Sequence, residues 1–283
     1  MASGEEMEKI HNTMISKYQS TREIYNFIEK FFTLKNGLRP FVIQKRFPKT
    51  IAPLRYFPSE SKRMLLFDEF DTDTLGFYKG QIHFLECIFD ERIKDLGFLE
   101  QEIRKADKPG DIFNQCVIGI SPCIEIDYHI TGATIFDKYD ESIYLKCLIE
   151  EKIKEMGFKA NSIFSGNGFY TVVQSSYFKE FNSTLDDVKK NLSEFGEKRN
   201  REMKKKFKTK TLPLIDIKED HWAKYYKIPF TYHNKYNRVS LPIPNGEIEK
   251  ENLDIISNFN NFVSMNTNEI KSIINKANWS DIW

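Results

Sequence analysis

The stretch Cys123-Ile124-Glu125-Ile126-Asp127-Tyr128-His129 alternates apolar and polar side chains. Alternation with a period of two predicts a β-strand, because successive strand side chains point to opposite faces of a sheet. Glu125, Asp127 and His129 then share one face. Like charges held so close repel each other unless a cation compensates them, and hard ions such as Mg²⁺ prefer oxygen ligands. The acid pair therefore suggests a metal site, although a solvated acidic strand face explains the same residues.

The chain on either side of this strand predicts further elements in the order strand, helix, hairpin, helix, strand. They are the strand at 123–129, a helix near 141–156 that ends at Gly157, extended runs at 162–164 and 169–173, a helix from Thr184, and a strand at 213–217. The two runs are joined by Ser165-Gly166-Asn167-Gly168, in which Asn-Gly is a strong hairpin signal. This order is typical of a split βαβ unit, in which helices cover one face of an RRM-like sheet.

Length and composition predict a globular chain of one large or two modest domains, and the predicted elements make it an α+β chain that we divide into three parts. The 283 residues are 40% hydrophobic and 14% aromatic, which is enough apolar material for a sizeable core. The parts are an N-terminal helical and mixed α/β part at 1–110, an RRM-like catalytic part at 111–245 and a C-terminal helical segment at 246–283. Within the first part, a helix is predicted near 82–96.

Several features predict a cytoplasmic protein that has no membrane partner. No apolar run approaches the roughly 20 residues that cross a bilayer, and the charged start of the chain is unlike a signal peptide. The four cysteines form no CxxC pair, which predicts free thiols. A zinc site at Cys116, Cys123 and His129 would lack an evident fourth ligand, so no zinc is expected.

A basic run interrupts an otherwise balanced chain. The net charge is +1, yet the segment from Lys198 to Lys210 holds eight basic residues opposed only by Glu202. Such a run is either a solvated helix or loop, or a footprint for phosphates. The residues predicted to contact nucleic acid are Lys204, Lys205, Lys206 and Lys208.

Asp216 adds a third acid on a later predicted strand. In a split βαβ sheet this strand can lie beside the one that carries Glu125 and Asp127, so that three carboxylates converge. Such a cluster can hold two divalent ions for an in-line phosphoryl displacement. Read alone, Asp216 is better explained as an acid at a strand end, beside a turn. The hairpin glycines let backbone N–H groups approach a phosphate, and a plain turn explains them almost as well.

Together these motifs resemble the catalytic subunit of archaeo-eukaryotic primases and the related primase-polymerases. That family has two acids separated by one residue, then a hairpin Phe-Ser-Gly-x-x-Gly-Phe-His, and then a third acid that leads into Arg-x-Pro-x-Ser-Leu-His-x-Lys. The resemblance covers 116–243. The matching residues are Glu125, Asp127, the run 164–170, Asp216, Asp220, Lys224, Lys227, Pro229, Thr231, His233 and Lys235.

The resemblance implies a template-directed primase-polymerase that joins nucleotides on single-stranded nucleic acid by two-metal nucleotidyl transfer. Glu125, Asp127 and Asp216 would be catalytic and would bind two Mg²⁺ or Mn²⁺ ions. The residues implied to bind the incoming nucleotide are Ser165, Gly166, Asn167, Gly168, Tyr170, Lys227, His233 and Lys235. The implied partners are a single-stranded DNA template and nucleoside triphosphates, with a helicase, a large primase subunit or defence-system proteins as further candidates.

The chain also departs from the family. The first acid is Glu125 where Asp is usual, Tyr170 replaces a His, the hairpin is one residue shorter, and no zinc module follows. These differences predict a divergent branch. Two other functions stay open: a metal-dependent nuclease, and a non-catalytic RRM-like module that binds single strands. The segment 227–235 argues against the first, and acids on the sheet face, where such a module needs aromatic residues, argue against the second.

Overall fold

The structure is a computed structural model that describes residues 4–24, 26–27, 37–38, 40–45, 55–56, 74–80, 82–85, 117–120, 123–128, 133–173, 183–207, 213–216, 225–233 and 235–279. These residues form helices and antiparallel sheets, so the chain is α+β, as predicted. The chain divides into two compact units. Unit 1 comprises Met1–Ile120, Phe178–Phe181 and Trp222–Ile228, and unit 2 comprises Ser121–Tyr177, Asn182–His221 and Pro229–Trp283. The division into parts at 1–110, 111–245 and 246–283, which was made from the sequence, stays a prediction.

The strands are numbered in chain order. They are β1 (Gly37–Leu38), β2 (Pro40–Lys45), β3 (Arg55–Tyr56), β4 (Thr74–Gly80), β5 (Ile82–Leu85), β6 (Val117–Ile120), β7 (Cys123–Asp127), β8 (Ala160–Phe164), β9 (Phe169–Val173), β10 (Leu214–Asp216), β11 (Tyr225–Lys227), β12 (Tyr232–His233), β13 (Arg238–Val239) and β14 (Leu241–Ile243). The helices are α1 (Gly4–Ser20), α2 (Tyr139–Glu155), α3 (Ser183–Phe207), α4 (Lys250–Ser257), α5 (Phe259–Ser264) and α6 (Thr267–Ala277). A 3-10 helix, Ile135–Lys138, precedes α2.

Unit 1 contains α1 and two small antiparallel sheets, with strand orders β1-β5-β6 and β11-β4-β2-β3. The helix predicted near 82–96 is wrong at its start, because Ile82–Leu85 is β5 and pairs with β6. The order Ile-His-Phe alternates apolar and polar side chains, which suits a strand and competes with the helical spacing further on. The rest of that predicted helix lies outside the described residues.

Unit 2 is built on a five-stranded sheet of order β10-β7-β9-β8-β14, in which all neighbours are antiparallel. Helix α2 connects β7 to β8, and α3 lies between β9 and β10 in the chain. The apolar face of this sheet includes Ile126, Phe164 and Phe169, all fully buried. The ring of Phe136 lies 5.7 Å from that of Phe164, and the ring of Tyr139 lies 6.4 Å from that of Phe169. The 3-10 helix and α2 therefore cover this face.

The predicted end of α2 is confirmed. Gly157 follows the helix with φ +83°, a conformation that glycine adopts at little cost. Its N–H donates to the carbonyl of Lys154, and the N–H of Phe158 donates to that of Ile153. These bonds satisfy carbonyl groups of the last turn, which otherwise have no partner in the helix.

A buried ion pair joins α2 to the chain after β14. The Lys146 ammonium lies 2.8 Å from Glu150 Oε1 and donates to the carbonyls of Pro244 and Gly246 at 3.0 and 2.7 Å. Glu150 also accepts from the Gly246 N–H at 2.7 Å and from the Ser162 hydroxyl. Several hydrogen bonds thus offset the desolvation of the two charges, which is the condition for burying such a pair.

Helix α3 covers the open edge of the sheet at β10. The Asn200 side chain accepts from the Ile215 N–H and donates to the Ile215 carbonyl, both at 2.9 Å. This pairing imitates a neighbouring strand and satisfies the N–H and carbonyl of Ile215 on an edge strand. The helix begins at Ser183, so the helix predicted from Thr184 is confirmed, and the basic run as far as Lys206 is helical.

The helices predicted after 244 are also present, as α4, α5 and α6. Asn258 caps α5, and Asn266 caps α6 in a capping box with Glu269, which satisfies N–H groups of the first turns. The core under these helices includes Leu253, Phe262 and Ile270, each fully buried. In the part of the chain that is described, no helix combines the length and apolarity needed to cross a membrane.

Candidate active site

The register of the main sheet brings Asp216 opposite Glu125 and Glu125 opposite Tyr170. Residues directly opposite each other on neighbouring strands share a face, with Cβ atoms about 4.5–5.5 Å apart. Asp216, Glu125 and Tyr170 therefore occupy one row across β10, β7 and β9. Asp127 is on the same face, opposite Leu214. The side chain of Asp216 lies outside the described part of the structure.

The acids lie on the face of β7 that is turned away from the apolar face. Glu125 and Asp127 are half-buried, whereas Ile124 and Ile126, which alternate with them, are fully buried. The Tyr128 N–H donates to Asp127 Oδ1 at 2.7 Å, which restrains that carboxylate. This all-oxygen pair suits a hard divalent ion. No group of three His, Cys, Asp or Glu that could hold a metal occurs among the described side chains, and these exclude the Asp216 carboxylate. The metal assignment stays a prediction.

The turn between β8 and β9 is held by its own polar groups. The Ser165 N–H and hydroxyl donate to the Gly168 carbonyl at 2.9 and 3.2 Å. Asn167 Oδ1 accepts from the Ile135 N–H at 2.8 Å, and this side chain is buried. The predicted hairpin is confirmed, but the positive φ, +106°, falls at Gly166 and not within Asn-Gly. The side-chain oxygen of Asn167 therefore holds the turn in place through its bond to Ile135.

Both glycines of the turn pack too closely for a side chain. A Cβ on Gly168 would lie 2.6 Å from the carbonyl oxygen of Ile126, the residue between the two acids. A Cβ on Gly166 would lie 2.8 Å from Cβ of His233. The turn thus touches the acidic strand on one side and His233 on the other. These contacts bring together three of the motifs that were found separately in the sequence.

His233 belongs to a small hairpin, formed by β12 and β13 and called here the His233 hairpin (232–239). Nδ1 of His233 is buried, and its ring lies 4.9 Å from that of Tyr236. Lys235 is exposed, with its ammonium 4.9 Å from the centre of the Tyr236 ring. Before the hairpin, Pro229 and Thr231 are buried. His233 is therefore held in place by packing, whereas the Lys235 ammonium is accessible.

Lys227 lies in unit 1, at the end of β11, opposite Tyr78 of β4. Its side chain is only 3% exposed, and burial lowers the pKa of the amine from 10.5 to about 7. Burying a lysine is costly to the fold, and a strongly lowered pKa marks the residue as a candidate functional group. Asp220 and Lys224, which match the family register, lie outside the described residues.

Replacing Lys227 with Met is expected to stabilise the protein at neutral pH. Between the folded pKa of about 7 and the unfolded value of 10.5, only the unfolded state holds the proton. The free energy of unfolding of the wild type therefore rises with pH across this window, by up to about 1.4 kcal/mol for each pH unit. Below the folded pKa of about 7 both states are protonated, so the stability no longer depends on this group's titration and the full cost of burying the ammonium remains. Urea unfolding of the wild type and of Lys227→Met at several pH values measures the two free energies. Identical pH profiles for the two proteins would contradict the prediction.

The predicted nucleic-acid lysines lie on the last turns of α3. Lys204, Lys205 and Lys206 are exposed, and the Lys206 ammonium lies 5.4 Å from the centre of the Tyr144 ring. Tyr144 is 47% exposed on α2, the helix that covers the apolar face of the sheet. The surface around Tyr144 and Lys206 is therefore on the helix side of the sheet, away from Glu125 and Asp127. Lys208 lies outside the described residues.

Sequence reasoning missed Arg238, which lies opposite His233 in the hairpin. Its guanidinium lies 4.2 Å from the centre of the Phe136 ring and 2.5 Å from Asp254 Oδ1. No motif marks it.

No protein-family model matches the chain, and no curated protein matches it. Among solved structures, 13 chains match. One is the polymerase domain of Mycobacterium tuberculosis Ligase D in complex with DNA, with a TM-score of 0.48 and 10% sequence identity, over 96% of this chain and 89% of that one. The case for a function rests on this chain's own residues.

Proposed function

We propose that this protein is a template-directed nucleotidyltransferase of the primase-polymerase type. The observation that carries the proposal is the register of β10 on β7, which puts Asp216 opposite Glu125 on the face that also holds Asp127. The strand order β10-β7-β9-β8, with α2 and α3 as the connections, supports the split βαβ arrangement that such an enzyme would use.

In this proposal, the chain's own carboxylates prepare the site for charged reactants. Glu125, Asp127 and Asp216 would hold two Mg²⁺ or Mn²⁺ ions, which would supply the positive charge that a transferring phosphate needs. A terminal 3′-hydroxyl gives up its proton to solvent water, and its oxygen bonds to the α-phosphorus of the incoming nucleotide. The bond from that phosphorus to the bridging oxygen breaks, and pyrophosphate leaves. Most of the rate gain would come from positioning and charge neutralisation.

The turn and the His233 hairpin are proposed to hold the triphosphate. A Cβ built on Gly166 would lie 3.1 Å from Cγ and Cδ2 of His233, so the imidazole lies against the turn. The exposed Lys235 adds a cation that can reach a phosphate, and the Tyr170 hydroxyl can donate from the acid row. Lys227 lies in unit 1, and its match to the family register stays a prediction of the sequence.

Primer extension is the direct test of this proposal. The full chain is incubated with a single-stranded template, labelled nucleotides and Mg²⁺ or Mn²⁺, with and without an annealed primer. We expect longer product that requires both template and divalent ion. Shortened oligonucleotides and no extension would favour the nuclease, and binding without any reaction would favour the single-strand-binding module.

Neutralising the exposed lysines of α3 is expected to weaken binding of single-stranded DNA. Each phosphate contact that is lost should make the slope of log affinity against log salt shallower by about 0.7. The variant Lys204→Gln, Lys205→Gln, Lys206→Gln is compared with Lys250→Gln, Lys271→Gln, Lys276→Gln, which removes the same charge from exposed positions of α4 and α6. Fluorescence anisotropy over a salt series measures both. Equal slopes for the two variants would remove the α3 lysines from the nucleic-acid site.

A further inference from the structure

We propose that Arg238 is a positioning residue that ties the His233 hairpin to the C-terminal helices and to the 3-10 helix before α2. Through this tie, α4 and α5 determine where His233 lies in the nucleotide site. The effect on nucleotide binding rests on the proposed function. The effect on the position of His233 does not, and it can be measured without any enzymatic activity.

The first half of the tie is polar. Arg238 Nη2 lies 2.5 Å from Asp254 Oδ1, and Nη1 donates to the Asp254 carbonyl at 3.2 Å and to the Ser257 hydroxyl at 3.0 Å. The Arg238 side chain is only 15% exposed. A guanidinium bonded to several groups in a fixed geometry holds its partners more rigidly than a single ion pair does. These contacts join the hairpin to the last turn of α4.

The second half of the tie is a cation–π contact. Cζ of Arg238 lies 4.2 Å from the centre of the Phe136 ring, within the range of such contacts. Phe136 lies in the 3-10 helix, and its ring packs against Tyr139 at 5.8 Å and Phe164 at 5.7 Å between centroids. The ring is thus fixed in the core of unit 2. Arg238 links this fixed ring to α4.

The backbone carries this restraint to His233. Arg238 and His233 are directly opposite each other in the two-stranded hairpin, so neither can move far alone. The hairpin has two further contacts with α5: the Phe259 N–H donates to the Asn237 carbonyl at 3.2 Å, and the rings of Tyr232 and Phe259 lie 5.1 Å apart.

The 3-10 helix also positions the other half of the candidate nucleotide site. The N–H of Ile135, the residue before Phe136, donates to Asn167 Oδ1 in the turn that touches His233. One short element therefore holds the turn through Asn167 and the His233 hairpin through Arg238. This shared support explains how the two halves keep their spacing, although they are far apart in the sequence.

Histidine-selective NMR of the full chain tests the positioning directly. The chain has five histidines, and a His233→Gln variant assigns the His233 signal. In Arg238→Gln we expect this signal to shift or broaden while the other four stay in place. Arg238→Lys keeps the cation and should move the signal less. Arg22→Gln, at an exposed position of unit 1, is the matched control and should leave all five unchanged. Should Arg238→Gln fail to fold, Asp254→Asn breaks the same ion pair from an exposed position.

Kinetics test the consequence for nucleotide binding. We expect Arg238→Gln to raise the nucleotide KM by roughly tenfold or more, with a smaller change in kcat and in DNA affinity, because a displaced His233 no longer meets the triphosphate. An unmoved His233 signal would overturn the positioning. A moved signal with unchanged KM would overturn its link to the nucleotide. If the wild type extends no primer, the proposed function fails, and the NMR result still decides the positioning.

Discussion

Replacing Asp127 with Asn is expected to lower the rate of primer extension by about 10²–10³-fold, a typical cost for losing one group that stabilises developing charge. Asn has nearly the same shape, and its side-chain oxygen can still accept from the Tyr128 N–H, as Asp127 Oδ1 does. The fold should therefore be kept. Since Glu125 and Asp127 share one face of β7, removing one charge should leave the melting temperature of the metal-free protein unchanged or raised.

The matched control is Asp140→Asn, which removes an exposed acid from the first turn of α2, on the helix side of the sheet. This change should cost well under 1 kcal/mol of stability and leave extension intact.

Asp216→Asn should act like Asp127→Asn. Glu125→Asp keeps the charge and restores the acid that is usual in the family, so a shifted preference between Mn²⁺ and Mg²⁺ is expected. Normal extension by Asp127→Asn would refute the metal assignment.

Replacing Gly166 with Ala is expected to raise the nucleotide KM by about tenfold or more. The new Cβ would lie 2.8 Å from Cβ of His233, so either the turn or the His233 hairpin must move. The residue also has φ +106°, which an L-residue with a side chain rarely adopts. Overpacking and backbone strain together should cost about 2–5 kcal/mol of stability. Steady-state kinetics and urea unfolding measure the two effects separately.

Gly157→Ala provides the matched control for this substitution. Gly157 has φ +83°, but a Cβ there would meet nothing within 4 Å, and the residue ends α2 away from the turn. It should lose stability through backbone strain alone, about 1–2 kcal/mol, with normal kinetics. A KM raised equally in both variants would mean that general destabilisation, and not contact with His233, explains the loss.

Much of unit 2 could be predicted because its patterns are local. The alternation at 123–129 indicated β7, the run 162–173 indicated the hairpin of β8 and β9, and Gly157 marked the end of α2. Each of these signals depends on the period of side chains along one element, or on the conformational freedom of glycine. The helix predicted near 82–96 was wrong at β5, because a short segment can fit both the strand period of two and the helix period of 3.6.

The candidate site was less accessible to such reasoning. Asn167 was assigned to the nucleotide because it lies in the turn, yet its side-chain oxygen Oδ1 accepts from the Ile135 N–H. Arg238 matched no motif, although it contacts Phe136 and Asp254. Both side chains bond to partners far away in the chain. The type and spacing of residues do not identify partners that are distant in the sequence, because the packing of the folded chain determines them.

By itself, the sequence determined which side chains share a face: Glu125 and Asp127 on one side of β7, Ile124 and Ile126 on the other. Only the tertiary structure decided that Asp216 lies opposite Glu125, that Gly166 meets His233, and that Arg238 bonds to Asp254 of α4. The reason is physical. The face of a strand follows from the stereochemistry of neighbouring residues, whereas strand register and close contact depend on how distant segments pack together.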